Sequence, residues 1–314
     1  MPLFRARHCW LFAPAVLLVA AWCYRDGASV ALPVRLSLDA PQAELSAAGA
    51  TSPVEPLEYA DASASTVVPV AHRPSGDFDG QADLHQYALQ LKAAADGGDA
   101  QASWQLSRVY DYCAGYAVDP AGYQADDLLN AQGAAPGVRA MLAARGRVAQ
   151  RCAGFSADDG LGAPLVTLQR LRAAEAGSLA AEAALLAQGK PLEDSADYRR
   201  GLVQRVLDSR DPQAYLALSP AMGAVASGDA SYRGYVAGTQ FTQLAWQLAA
   251  CKLGLECGAG SALMTSYCAN GGICSQDSAQ DFSSFVLDAA VSRQGAGTLD
   301  DMVSTLVNGS GGRT

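Results

Sequence analysis

The sequence predicts an all-α fold, an irregular array of helical hairpins stapled by disulfides. Three observations predict it. One run recurs: Leu91–Ala100 (LKAAADGGDA) is a helix end, a glycine turn and the start of another helix. Leu171–Ala180 (LRAAEAGSLA) repeats it without a gap, and Leu248–Gly254 (LAACKLG) repeats it again. Half of the 314 residues are apolar but only 7% are aromatic, and alanine is abundant. That composition suits closely packed helices, while the Val/Ile/Thr alternation of a large sheet is missing. Third, six cysteines lie beyond the leader: Cys113, Cys152, Cys251, Cys257, Cys268 and Cys274.

From Asp83 onward, Leu84, Tyr87, Ala88, Leu91 and Ala95 fall at helical spacing, Gly97-Gly98 ends that helix and Asp99 caps the next. Ala102, Leu106, Val109, Tyr110 and Cys113 mark one face of the partner helix. A loop is expected over Gly115–Tyr123, a short helix over Asp126–Ala131, and a longer one from Pro136 to Cys152. Pro164 starts a helix with Leu165, Leu168, Leu171 and Arg172 on one side. Gly177-Ser178 turns it into Leu179–Gln188, which Gly189-Lys190-Pro191 stops. Tyr198, Leu202, Val206 and Leu207 mark another helix. Asp211-Pro212 then opens a short one whose start matches Asp99–Ala102, with Leu218 falling against Leu106. Residues 223–238 are a glycine- and serine-rich interruption, a candidate sub-division. Thr239–Leu253 follows, with Phe241, Leu244, Ala245, Leu248 and Cys251 on one face. Phe282–Ser292 and Leu299–Val307 close the helical domain, which spans 81–308, and a tail (309–314) follows.

Arg5, Arg7 and His8 precede an uncharged, mostly apolar run from Cys9 to Tyr24. Residues 1–31 therefore read as a secretory signal or as an uncleaved anchor through residues 9–24. Either places the bulk of the chain outside the cytoplasm, in the periplasm or cell envelope, with membrane contact only through that segment if it stays uncleaved. Residues 32–80, punctuated by proline among Ala, Ser and acidic residues, read as a linker. An even cysteine count in an exported chain implies disulfides, of which six cysteines allow fifteen pairings. The preferred set is Cys113–Cys152, Cys251–Cys257 and Cys268–Cys274, because the last two pairs close short loops at least entropic cost.

The run Leu91–Tyr110 (LKAAADGGDAQASWQLSRVY) resembles a Sel-one-like repeat, a relative of the tetratricopeptide repeat. The shared features are Ala93-Ala94 at a helix end, the Gly98-Asp99 turn, Ala102, and the spaced pair Leu106 and Tyr110. Ala250–Cys257 is similar to the cysteine-bearing units of exported members. The resemblance implies hairpins that form binding surfaces in protein complexes, and it brings no catalytic residues.

The formal net charge is −9, and no basic cluster interleaved with aromatics appears, which argues against nucleic acid as a partner. Arg151 and Arg199-Arg200 read as solvated helix faces. No cofactor is expected: neither Walker-type nor dinucleotide glycine motifs occur. Histidine is nearly absent (His8, His72, His85), which leaves Ser-His-Asp and Cys-His catalysis and histidine–zinc sites without their central residue. The four late cysteines lack zinc-knuckle spacing, so no metal is expected. Asp126-Asp127, Asp158-Asp159 and Asp300-Asp301 read as helix-start charges. The partner is expected to be another protein, met by Tyr112, Tyr116, Tyr123, Tyr232 and Tyr235. The alternative is a periplasmic cell-wall glycan hydrolase with a carboxylate acid/base, for which Glu175, Glu182, Glu193 and Glu256 are the residues of the right type, Glu256 lying in the favoured 239–300 region.

Overall fold

The computed structural model describes residues 78–133 and 135–308. The leader or anchor (1–31), linker residues 32–77 and the tail (309–314) lie outside the described residues. Among the described residues every regular element is helical and no strand occurs. The α-helices are α1 (Leu84–Asp96), α2 (Ala100–Ala117), α3 (Pro120–Asn130), α4 (Pro136–Cys152), α5 (Ala163–Glu175) and α6 (Leu179–Ala187). They continue as α7 (Ala196–Ser209), α8 (Pro212–Leu218), α9 (Gln240–Lys252), α10 (Ala262–Ala269), α11 (Phe282–Ala289) and α12 (Gly295–Asn308). No helix among them is long and apolar enough to cross a membrane.

The recurring run produces one recurring turn. Gly98, Gly177 and Gly254 have φ of 88°, 99° and 109°, the left-handed region where a Cβ is strained. At each turn the residue after the glycine donates its N–H five residues back: Asp99 to Ala94 O (3.0 Å), Ser178 to Ala173 O (2.8 Å), Leu255 to Ala250 O (3.0 Å). This closes the orphan carbonyls of the finished helix. Asp99 then caps α2 by accepting from Ala102 N at 2.7 Å, and Ser178 caps α6 by accepting from Ala181 N at 3.3 Å. The third turn differs from expectation, because it opens the Cys251–Cys257 loop and the next α-helix waits until Ala262.

Helices α1, α2, α5, α6, α8, α9 and α12 each pack on the next in that order. Helix α4 lies against α1 and α2, and α10 returns from the C-terminal half to pack on α4. Arg147 Nε donates to Thr265 Oγ1 across that junction at 3.1 Å, and Asp79 accepts from Ala262 N beside it. The apolar interior forms two clusters. One surrounds Leu84, Leu106, Val109 and Tyr112 and takes Ala262, Cys268 and Ala269 from the returning α10. The other surrounds Leu185, Leu202, Tyr215, Leu218 and Trp246. Ala226 and Tyr232 belong to the second cluster together with α6 and α9, so the core runs through residues 223–238 instead of dividing there.

Three disulfides are present, Cys113–Cys152, Cys251–Cys257 and Cys268–Cys274, the pairing set out above. They place the domain in an oxidising, exported setting.

Several expectations are corrected. The linker does not extend to residue 80: Phe78–Gly80 form a 3-10 turn and Phe78 is 2% exposed under the guanidiniums of Arg108 and Arg151. Residues 115–123 are not a loop. Helix α2 continues to Ala117, Asp119 accepts from Gly122 N at 2.9 Å, and Pro120 opens α3, a position where its missing N–H costs nothing. Asp126 and Asp127 therefore sit in the second half of α3, not at a helix start. The Asp300-Asp301 pair lies inside α12, where Asp300 meets Lys252. Of the three arginines read as solvated, Arg200 is exposed, while Arg151 and Arg199 are half-buried, and all three hold neighbouring segments. Arg151 donates to Gln81 O and Phe78 O, Arg199 pairs with Asp194 and Asp229, and Arg200 donates to Ala230 O and Arg233 O. In α9 the large side chain that is fully buried is Trp246, beside Ala245, Ala249 and Ala250, whereas Phe241 is 36% exposed.

Candidate binding cleft

Helix α5 decides the site. The side marked by Leu168, Leu171 and Arg172 is exposed, and the buried side chains are Val166, Gln169, Arg170, Ala173 and Ala174. Val166, Arg170, Ala173 and Ala174 fall at helical spacing on one face. The two alanines are small enough to let α2 and α6 approach, and Arg170 is carried inward with them.

There it lines a cleft of about 430 Å³ between α2, α5, α6, α8 and α10. Phe78, Trp104, Leu216 and Leu263 supply apolar wall. The floor is a polar network tying α2 to α8. Gln213 Oε1 accepts from Trp104 Nε1 and, at 3.1 Å, from Gln105 Nε2, while Arg108 donates to Gln105 Oε1 at 3.1 Å. The Arg108 guanidinium also lies 4.4 Å above the Phe78 ring. Arg170 donates to Asp111 Oδ2 at 2.7 Å. Among the described residues Asp111 is the one carboxylate lining the cleft. Amide side chains enter from three further points, Gln188 at the C-cap of α6, Gln213 on α8 and Asn270 at the C-cap of α10. The volume lies within the roughly 300–1,000 Å³ of small ligand sites.

The five tyrosines chosen from the sequence are not brought together. Tyr112 lines the cleft but is 9% exposed, edge-on to Phe78 with ring centroids 5.6 Å apart. Burial pushes its hydroxyl pKa up, against the opposing pull of Arg151. Tyr116 and Tyr123 pack edge to face in the same cluster, and Arg145 stacks 3.6 Å above the Tyr123 ring. Burial raises the Tyr123 hydroxyl to about 12. Tyr232 is buried in the other cluster. Tyr235 is partly exposed and lies beside Arg200, away from the cleft lining. Tyr112, Tyr116 and Tyr123 are turned inward because α2 and α3 are continuous helices whose inner faces carry them.

The candidate carboxylates are scattered. Glu182 is buried between α6 and α7, where Arg205 grips both oxygens and Tyr198 Oη donates at 2.7 Å, a brace and not an open acid. Glu175, Glu193 and Glu256 are exposed, and Glu256 accepts from Gly258 N at 2.8 Å within its loop. His85 is half-buried against Phe155, with ring centroids 5.0 Å apart. Among the described residues no group of three or more His, Cys, Asp and Glu side chains could hold a metal ion.

Sequence reasoning missed Trp104, Arg108, Arg170 and Gln213. Two of them had a signal. Trp104 lies inside the repeat-like run, and Gln213 matches Gln101 where Asp211–Ala214 repeats Asp99–Ala102.

Among the described residues the chain is all-helical and disulfide-bonded, with a recessed cleft. Compared with known proteins, the chain matches no family model, no curated protein and no solved structure.

Proposed function

We propose that this is a non-catalytic adaptor or scaffold of the periplasm or cell envelope, and that its cleft docks a segment of another protein. The helices are read as a degenerate tetratricopeptide-like array whose recurring hairpins stack α1–α2 onto α5–α6 and α8–α9. The N-terminal segment either anchors the chain through residues 9–24 or is removed on export. The observation that carries the reading is the cleft itself: apolar wall, amide and guanidinium groups from five helices, and a single carboxylate already paired to arginine. Such a set binds polar main chain and apolar side chains; it presents no acid–base pair.

Site-specific photocrosslinking tests it. A benzophenone side chain at Ala187, on the cleft wall, is expected to give one dominant protein adduct in intact cells. The same probe at exposed Val225 gives none, and Trp104→Ala weakens the Ala187 adduct. Equal labelling from the two positions, or none from either, overturns the proposal.

A further inference from the structure

We infer that a second recess, between α4 and α10, is a site for a free di- or tripeptide, whose C-terminal carboxylate is received by Arg147 and whose terminal ammonium is received by Asp277. The recess shares no lining residue with the cleft, and its occupancy is independent of the docking reading above. Its volume is about 300 Å³, and Pro136, Ala140, Ala143 and Arg147 form the α4 wall. These four fall at helical spacing on one face. Met264 and Cys268 from α10 and residues 275–278 line it from the other side of the sequence.

Two opposite charges line this recess, and neither is neutralised by an ion pair among the described residues. Arg147 is half-buried, and its Nε donates to Oγ1 of the buried Thr265 at 3.1 Å, which fixes the guanidinium. Its two terminal nitrogens have no partner among the described residues. They are not sealed in, in contrast to Nε of Arg170, which is buried without a partner. They form a fork that suits a carboxylate. Asp277 is exposed; its Oδ1 accepts from Ala279 N at 2.9 Å, and its Oδ2 has no partner among the described residues. The loop that carries it is braced: Ser275 Oγ accepts from Asp277 N at 3.1 Å, and the Cys268–Cys274 disulfide holds the loop's start. Arg139 lines the same wall but already has a partner and is not counted.

A ligand that answers both charges carries a carboxylate and an ammonium, and it spans the gap between two residues that do not pair with each other. Two or three extended residues with free ends do so over about 7–11 Å. The walls fit such a ligand. Ala140, Ala143 and Ala259 are small, so a main chain can approach α4 closely, and the unbranched Met264 side chain adapts to what lies against it.

Isothermal titration calorimetry on the full chain tests it, with Ala-Ala and Ala-Ala-Ala as probes, each free at both ends, N-acetylated or C-amidated. At least one free peptide is expected to bind, and to bind about tenfold weaker once amidated. Acetylation is expected to weaken it about threefold, because Asp277 is exposed. Arg147→Gln is expected to bind free and amidated forms alike, and Asp277→Asn to bind free and acetylated forms alike. Should Arg147→Gln fail to fold, the capped probes on the unaltered chain and the exposed Asp277→Asn still decide. Binding of neither free peptide overturns the site. Caps without effect, or cap effects that persist in the variants, overturn the roles of the two charges. Tighter binding of a doubly capped Lys-Ala-Glu peptide overturns the free-ended ligand and gives the recess to a partner chain. None of these results bears on the cleft, whose reading stands or falls with the Ala187 adduct.

Discussion

Around α2 and α4 the core is rich in tyrosine and clasped by arginine; around α6, α8 and α9 it is built of alanines packed about a few large side chains, Leu185, Tyr215, Leu218 and Trp246. In the first region Arg145 stacks on Tyr123, and Arg151 reaches both Phe78 and Tyr112 at 5.0 and 5.1 Å. In the second, Trp246 and Phe282 are fully buried, Trp246 Nε1 donates to Val236 O at 2.8 Å, and Tyr215 Oη donates to Leu306 O at 3.1 Å. The first region holds a smaller apolar cluster and carries the long-loop disulfide, Cys113–Cys152, which joins the last turns of α2 and α4. The second has the larger core and the short-loop Cys251–Cys257 at its edge. The smaller core carries the longer covalent closure and most of the guanidinium stacking, the supports a thinner apolar interior calls for.

Breaking the bridges tests this most severely. Cys113–Cys152 closes 39 residues of sequence separation, and chain entropy makes its loss in a double serine variant worth about 4 kcal/mol. Cys251–Cys257 and Cys268–Cys274 each close a separation of 6, worth about 2 kcal/mol on the same account. Urea midpoints are expected to fall in that order. An equal fall for all three would show that the first region does not lean on its bridge.

Alkaline titration sharpens the same contrast. Burial raises Tyr112 and Tyr123 in the first region, while Arg151 and Arg145 oppose it. In the second, burial raises Tyr198 and the Glu182 carboxylate that accepts its proton raises it further. Each folded pKa lies above the unfolded value near 10, so these tyrosines stabilise the fold fully below pH ~10. That share is lost as pH rises through the folded values, about 12 for Tyr123. Stability measured by urea is expected to lose the tyrosine contribution only above pH ~10. Tyr198→Phe and Tyr123→Phe each make the alkaline fall shallower, and absence of any change would sink the assignment.

The mildest test concerns the two faces of α5. Leu168→Ser and Leu171→Ser change exposed residues and are expected to shift stability by no more than about 0.5 kcal/mol. Ala173→Leu, at a fully buried position, is expected to cost about 1–3 kcal/mol by overpacking. Chemical denaturation of the three variants checks both halves, and a large loss from the leucines would mean the buried face is wrongly assigned.

The α5 outcome also marks how far the sequence was legible. Leu165, Leu168 and Leu171 make the more hydrophobic stripe, yet the face that entered the core carries Ala173, Ala174 and an arginine. Counting leucines measures transfer free energy. It does not measure how closely α2 and α6 can approach, which small side chains set. Trp246 was passed over for a similar reason, since an aliphatic stripe with Phe241 outweighed it until α12 and residues 223–238 covered the other side of α9. The candidate site suffered most. Arg108, Arg170 and Gln213 are far apart along the chain, and nothing local marks them as neighbours.

What the sequence determined by itself was local. Gly98 and Gly177 had to take left-handed turns because no other residue does so without strain, and Asp99, Ser178 and Asp211 had to cap because their side chains reach the orphan N–H groups. The all-helical class and the cysteine pairing followed from composition and spacing. Tertiary structure alone decided which helix faces turned inward, which tyrosines became core, and that α10 returns to α4 beside the cleft. Those outcomes depend on shape complementarity between elements distant in sequence, which short-range chemistry does not encode.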